Sequence, residues 1–147
     1  MGFYVGGYCS GESLPDEYEF VIPYSPTPVR VRERSQFGAS WRGIDRPFSR
    51  LFQGFDPNIV NFLIQNGVPR GTVDEMFDPA KWFMQVLFDG MPAQDAVNFA
   101  EFVLKTTIGV SEFETGNPLC GGPLQVLFIS ADNKIGWISQ PKLSLRG

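Results

Sequence analysis

Two cysteines, a serine ahead of a helical stretch and a run of arginines are the side chains able to carry chemistry in this 147-residue sequence, which contains no histidine. Without imidazole, Ser-His-Asp and Cys-His triads and histidine-based metal sites are excluded. Cys9 and Cys120 are too few for a disulfide scaffold or a four-cysteine zinc site. A single bridge between them and two free thiols in a reducing compartment both stay open, and cysteine usage favours the second. Ser40 reads either as a polar site residue or as a cap for the helix that follows. Cys120, ahead of Gly121-Gly122, reads either as a site thiol or as a small buried residue where backbones approach closely. Cys9 becomes a terminal nucleophile only if residues 1–8 are removed. Asp16, Glu17 and Glu19 sit on a strand-loop edge, where carboxylates are more often solvated than catalytic. The sequence offers no metal-ligand set and no cofactor motif, so neither a metal nor a cofactor is expected.

Charge is unevenly placed around a formal net of −4. Residues 1–27 hold Glu12, Asp16, Glu17 and Glu19 with no Lys or Arg. Residues 28–50 hold Arg30, Arg32, Arg34, Arg42, Arg46 and Arg50 against Glu33 and Asp45. Guanidinium clusters suit phosphate or nucleic acid. The overall acidity and the lack of interleaved stacking aromatics argue against a nucleic-acid surface. The arginines are expected to pair with carboxylates of neighbouring segments or of a partner subunit.

The elements that must position these residues follow from hydrophobic period and turn chemistry. Phe3–Tyr8, Tyr18–Ile22 and Val29–Arg34 read as strands, the last by its apolar/charged alternation, with Pro23, Pro26 and Pro28 in the connecting loop. Asp45-Arg46-Pro47 opens a short helix through Phe52 that stops at Gly54. Asp56-Pro57 opens a second, closed by Asn66-Gly67. Asp78-Pro79 opens a third with an apolar stripe of Trp82, Phe83, Val86 and Leu87. The longest helix runs from Pro92 to about Val110, with Ala93, Ala96 and Ala100 small enough to let it lie close to a sheet. Leu124–Ile129 is a nearly continuous apolar run, expected as a buried central strand. A turn over Ala131–Lys134 and Ile135–Ile138 complete a hairpin. Strands, then helices, then strands predict an α+β fold with helices on one face of a mainly antiparallel sheet. Residues 1–140 read as one incomplete domain and 141–147 as a tail.

Three of these features together resemble one family. The paired strands lead through Phe37-Gly38-Ala39-Ser40 into helices. A long helix is headed by Met91-Pro92-Ala93-Gln94-Asp95-Ala96. Cys120-Gly121-Gly122-Pro123-Leu124-Gln125-Val126-Leu127-Phe128-Ile129, a turn and Gly136-Trp137-Ile138 close the domain. Over about residues 3–139 the pattern is similar to the C-terminal part of a proteasome β-type subunit, in the N-terminal-nucleophile (Ntn) hydrolase superfamily. The resemblance implies a four-layer αββα sandwich and, in the complete protein, threonine-type hydrolysis of peptide bonds with the chain's own terminal amine as base. It also implies that the nucleophile and its lysine lie upstream, so that this chain alone is inactive. Ser40 matches the family's serine near the nucleophile. Asn117 and Cys120, with Gly121 and Gly122, match an Asp-x-x-Ser-Gly-Gly element that orients the terminal amine. Asn cannot supply that element's negative charge, and a thiol is a poorer hydrogen-bond partner than a hydroxyl.

The alternative is a non-catalytic, proteasome-like structural or assembly subunit. In either version the expected partners are copies or relatives in an oligomer, ring-type or paired with an N-terminal half, and a peptide substrate if the enzyme is complete. Met1-Gly2 opens like a myristoylation signal, but Gly6 stands where Ser or Thr is preferred, so no lipid anchor is expected. With no membrane span and no signal segment in view, the protein is expected in the cytoplasm.

Overall fold

Aromatic and β-branched residues at Phe3–Val5 and Tyr18–Val21 favour extended backbone, and they take it here. The computed structural model describes residues 1–33, 35–132 and 134–139. The chain divides into two compact units, one built from residues 1–38 with the stretch from 123 onward, the other from residues 39–122. Expectations for Arg34, for Asn133 in the turn and for the 141–147 tail lie outside the described residues.

In the sheet unit, β1 (Gly2–Gly7), β2 (Asp16–Val21) and β3 (Ser25–Arg30) form an antiparallel meander in the order β1-β2-β3. Phe3 opposes Phe20 and Val5 opposes Tyr18, and the two phenylalanine rings stack at 5.1 Å. The third strand begins at Ser25, not at the expected Val29, so Pro26 and Pro28 lie inside it. Proline is tolerated there because β3 is an edge. Val31 N–H donates to Glu17 O, so odd-numbered positions of this segment bond toward β2. Pro28, next to Val29, faces outward, where a missing N–H costs nothing, and Pro26 lies where the register shifts, Glu19 opposing Val29 but Val21 opposing Ser25.

β4 (Val126–Ile129) and β5 (Ile135–Ser139) make a separate two-stranded hairpin. The expected buried central strand over Leu124–Ile129 is therefore shorter and has one described neighbour. Val126 is buried while Leu127 is 44% exposed. Gly122 at φ +92° and Pro123, which has no N–H, keep the approach irregular. Ser139 Oγ donates to Leu124 O at 2.8 Å and ties that approach to β5. At the turn, the Lys134 ammonium and the Ser130 hydroxyl both engage the Asp132 carboxylate. They hold its pKa below the usual value, with Lys134 the larger cause.

The helical unit contains α1 (Arg46–Gln53), α2 (Asn58–Gln65), α3 (Arg70–Met76), α4 (Pro79–Trp82) and α5 (Ala93–Phe113). Gly54 ends α1 at φ +76°, and a Cβ there would stand 3.2 Å from Trp82 O, so glycine is required twice over. Asp56 lies one residue ahead of the formal cap of α2, yet its Oδ1 accepts the Asn58 N–H at 2.9 Å. Asp78 caps α4 by accepting from Ala80 N. The third expected helix is cut to one turn because Phe83 goes extended. Met84 N–H then bonds Phe52 O at 2.7 Å, and the Phe83 ring packs on Phe52 and Phe55.

The core of this unit is aromatic. Phe48, fully buried, is ringed by Trp41, Phe52, Phe99 and Phe102 at centroid distances of 4.9–5.9 Å. Phe88 extends the cluster from Phe99, and the Phe55 and Phe77 rings meet tilted at 4.6 Å. The long helix buries Val97, Val103, Thr107 and Ser111. Ala93, Ala96 and Ala100, expected against a sheet, are exposed instead. Among the described residues no helix is long and apolar enough to cross a membrane. The protein is α+β, with small antiparallel sheets and a helical unit.

Candidate functional site

Within the helical unit a cleft of about 300 Å³ opens beside α5. Its floor is Val103, Leu104 and Thr107, and Cys120 closes one side. Trp41, Arg42, Ile44 and Asp45 form the facing wall. The size is at the small end for ligand pockets, and the lining, apolar with a few polar groups, has the composition such pockets share.

Each wall is held by a specific bond. The segment after α5 folds back because Ser111 Oγ, on a side chain only 2% exposed, accepts the Leu119 N–H at 3.0 Å. That bond delivers Cys120 to the cleft. Opposite, Trp41 Nε1 donates to Ser49 Oγ at 2.9 Å, and its ring meets Phe48 and Phe52 edge-on. Arg42 Nη1 donates to Trp41 O at 2.9 Å. Thr107 returns its hydroxyl proton to Val103 O, leaving its oxygen lone pairs for an incoming donor. A half-buried thiol, a guanidinium, a carboxylate and a hydroxyl thus surround an apolar floor. That set can seat an apolar group carrying a polar or acidic end. Nucleophilic catalysis needs a base within hydrogen-bond reach of the thiol or hydroxyl, and among the described residues the hydrogen bonds of Cys120 and Thr107 show no such pair.

Of the site residues that the resemblance implies, Cys120 lines the cleft and the others do not; Arg42 of the arginine cluster lines it as well. Ser40 is exposed and immediately precedes Trp41; it is not the cap of α1, whose N-cap is Asp45. Asn117 is exposed on the segment after α5 and does not line the cleft. Gly121 and Gly122 are exposed as well. A Cβ on either would meet open space, so the close backbone approach expected at this pair is not made, and Gly122 owes its glycine to its φ. Both cysteines are free thiols; Cys9 is exposed and its Sγ lies 3.7 Å from Asp16 Oδ2. Among the described residues no group of three His, Cys, Asp or Glu could hold a metal.

The expected pairing of the arginines is seen for four of them. Arg30 meets Asp16 at 2.7 Å and lies 5.5 Å over the Tyr18 ring; Arg32 meets Glu17 at 3.0 Å. Arg46 and Arg50 converge on Asp56 Oδ2. The Asn58 N–H, followed by the Arg46 guanidinium, pulls the Asp56 pKa from 3.8 down to about 2.

Trp41 and Thr107 were not singled out from sequence; Arg42 was, as a member of the arginine cluster. Thr107 sits inside an apolar helical stripe, and no spacing rule ties residue 41 to residue 120. Comparison with protein-family models, with curated proteins and with solved structures finds no match to this chain.

Proposed function

We propose that this chain is the C-terminal portion of a proteasome-like Ntn amidohydrolase, inactive by itself, whose peptide-cleaving nucleophile is supplied from outside these residues. The observation that carries the reading is the state of the three-stranded sheet. None of the residues of β1, β2 or β3 is buried, although Phe3, Tyr4, Val5, Tyr18, Phe20, Val21 and Val29 are all apolar or aromatic. A sheet of this composition is stable in a layered fold when other layers cover it. The order of strands, helices, long helix and hairpin supports an αββα sandwich completed by a further part. The departures at Asn117 and Cys120 and the absence of a thiol-base pair in the cleft fit a chain that does not catalyse alone.

The test is a fluorogenic-peptide assay on the purified chain, with and without an inhibitor of terminal nucleophiles. Turnover is expected to stay at background; robust inhibitor-sensitive cleavage would overturn the reading. The in-frame coding sequence ahead of residue 1 is the companion check. A strand beginning with Thr, Ser or Cys and followed some tens of residues later by Lys supports the enzyme. Its absence moves the assignment to a non-catalytic assembly subunit, for which the same uncovered sheet is the favouring observation.

A further inference from the structure

Within the helical unit, Arg70 meets Asp74 at 3.0 Å, Lys81 meets Asp78 at 3.8 Å and Lys105 meets Glu101 at 2.6 Å, one cation to one carboxylate. The Arg46–Asp56–Arg50 cluster is built differently. Two guanidiniums share one carboxylate oxygen, so the cluster carries one positive charge in excess. Asp45, beside Arg46 in sequence, does not balance it. Its side chain belongs to the wall of the cleft, and among the described residues it makes no ion pair with either arginine.

Both arginines spend the same edge on Asp56. Arg46 presents Nε and Nη2 to Oδ2 at 2.8 and 2.6 Å, and Arg50 presents Nε, at 2.7 Å, and Nη2 to the same atom. A guanidinium carries five N–H donors in a planar fork. The edge formed by Nη1 and the second N–H of Nη2 is therefore left over on each. Among the described residues neither Nη1 has a hydrogen-bond partner. The two Nη2 atoms touch one oxygen, so the leftover edges begin side by side. The side chains are 57% and 52% exposed, which keeps those edges open to solvent.

We infer that the Arg46–Asp56–Arg50 cluster is a docking point for one carboxylate of a partner protein, an aspartate or glutamate side chain that engages the Nη1–Nη2 edges left by Asp56. This inference is independent of the catalytic reading. One carboxylate brings the cluster to neutrality, and its planar pair of oxygens matches a guanidinium edge. A phosphate dianion would leave the cluster negative beside the Asp56 carboxylate. The helical unit around the cluster holds ten acidic residues against six basic ones, so it repels a polyanion such as nucleic acid. A single acidic side chain on an otherwise uncharged stretch of chain is the occupant that fits.

The site is ordered before a partner arrives. Asn58 N–H donates to Asp56 Oδ1 at 2.9 Å and fixes the carboxylate, and the carboxylate fixes both arginines, which stand one turn apart on α1. Long side chains ordinarily lose rotamer freedom on binding, and here Asp56 has already removed much of it. Lysine at these positions would keep the charge but not the planar fork. A lone carboxylate on exposed guanidiniums binds weakly, so the contact serves a larger interface by selecting which side chain stands opposite α1.

The probe is an acetylated, amidated glycine–glutamate–glycine tripeptide, with the glutamine tripeptide as its neutral counterpart, at constant ionic strength so that screening does not vary. The Asn58 amide reports on the site because it is bonded to Asp56. Titration from about 1 to 100 mM, the range of weak affinities, is expected to shift that amide resonance saturably with the glutamate peptide and not with the glutamine one. Phenylglyoxal, which adds across Nη1 and Nη2 of an arginine, gives a second readout. The glutamate peptide is expected to slow modification of Arg46 and Arg50 about threefold or more near saturation. Arg70, already matched by Asp74, is expected to react at an unchanged rate. The Arg46→Lys/Arg50→Lys variant is expected to bind the peptide at least about fivefold more weakly. Both readouts on the unsubstituted protein stand if that variant fails to fold. No saturable shift, an equal response to the glutamine peptide, equal protection of Arg70, undiminished binding by a folded double-lysine variant, or inorganic phosphate binding more tightly than the glutamate peptide would each overturn the inference.

Discussion

The sheet unit and the helical unit are held together by different means. In the helical unit a fully buried Phe48 gathers four aromatic rings around it, and Val73 is buried to the same degree. In the three-stranded sheet, among the described residues, the ladder, the Phe3–Phe20 stack and ion pairs such as Arg30–Asp16 and Arg32–Glu17 do that work. Burial is insensitive to salt, whereas part-exposed ion pairs are screened by it. The helical unit therefore carries its own core, and the sheet depends on whatever covers it. The proposed layered fold starts from that difference.

The largest expected effect breaks the comparison at its strong end. Phe48→Ala removes a side chain with 0% exposure and leaves a cavity among aromatic neighbours, at a cost of about 3–5 kcal/mol. Phe3→Ala, at a ring 38% exposed, is expected to cost about 1 kcal/mol. Denaturant unfolding followed by hydrogen exchange localises each loss. Equal losses for the two variants, or a Phe48→Ala loss confined to the sheet, would erase the distinction.

A smaller effect tests the sheet's side. The Arg30–Asp16 pair joins side chains 31% and 10% exposed, and the guanidinium also donates to Tyr18 Oη at 3.1 Å. A double-mutant cycle with Arg30→Ala and Asp16→Ala is expected to give a coupling of about 0.5–1 kcal/mol. That coupling should shrink as salt is raised from about 0.05 to 0.5 M, while the Phe48→Ala cost stays constant. A salt-independent coupling would place the sheet's ion pairs with the buried interactions.

How far this contrast was legible in the sequence depends on the element. The starts of α1, α2 and α5 and the stops of α1 and α2 were legible from Pro47, Gly54, Asp56, Pro57, Asn66 and Pro92, which act within a few residues of themselves, whereas Asp45 makes no side-chain cap bond and α5 runs on from the expected Val110 to Phe113. α3 escaped notice: Gly71 and Thr72 are weak helix formers, and its buried anchor is the single Val73. The length of α4 was overestimated because Phe83 is drawn off the helix by Phe52 and Phe55, a tertiary contact that no local pattern encodes. Pro26 and Pro28 were read as loop because the rule that bars proline from sheets relaxes only at outward edge positions and register shifts, and both are properties of topology. At the site, Cys120 was legible as a chemical type. Its neighbours Trp41 and Thr107 were not, since Cys120 is brought back toward them by the Leu119 N–H bond to the Ser111 hydroxyl, a tertiary contact that no local pattern encodes.

The smallest effect concerns a charge cluster of the helical unit. Asp56 receives the Asn58 N–H and the guanidiniums of Arg46 and Arg50, and its pKa falls from 3.8 to about 2. A carboxylate with a depressed folded-state pKa stabilises the fold above its unfolded value and loses that contribution as pH falls. The window is therefore from about pH 4 down to about pH 2. Asp56→Asn keeps the acceptor for Asn58 but removes the charge. Its melting temperature should lie below that of the unsubstituted protein at pH 6 and converge on it toward pH 2. Because the cluster is exposed, added salt should narrow the gap at pH 6 as well. A gap that persists unchanged at pH 2 would mean that Asp56 acts through its hydrogen bonds alone, and that its two arginines add nothing measurable to stability through charge.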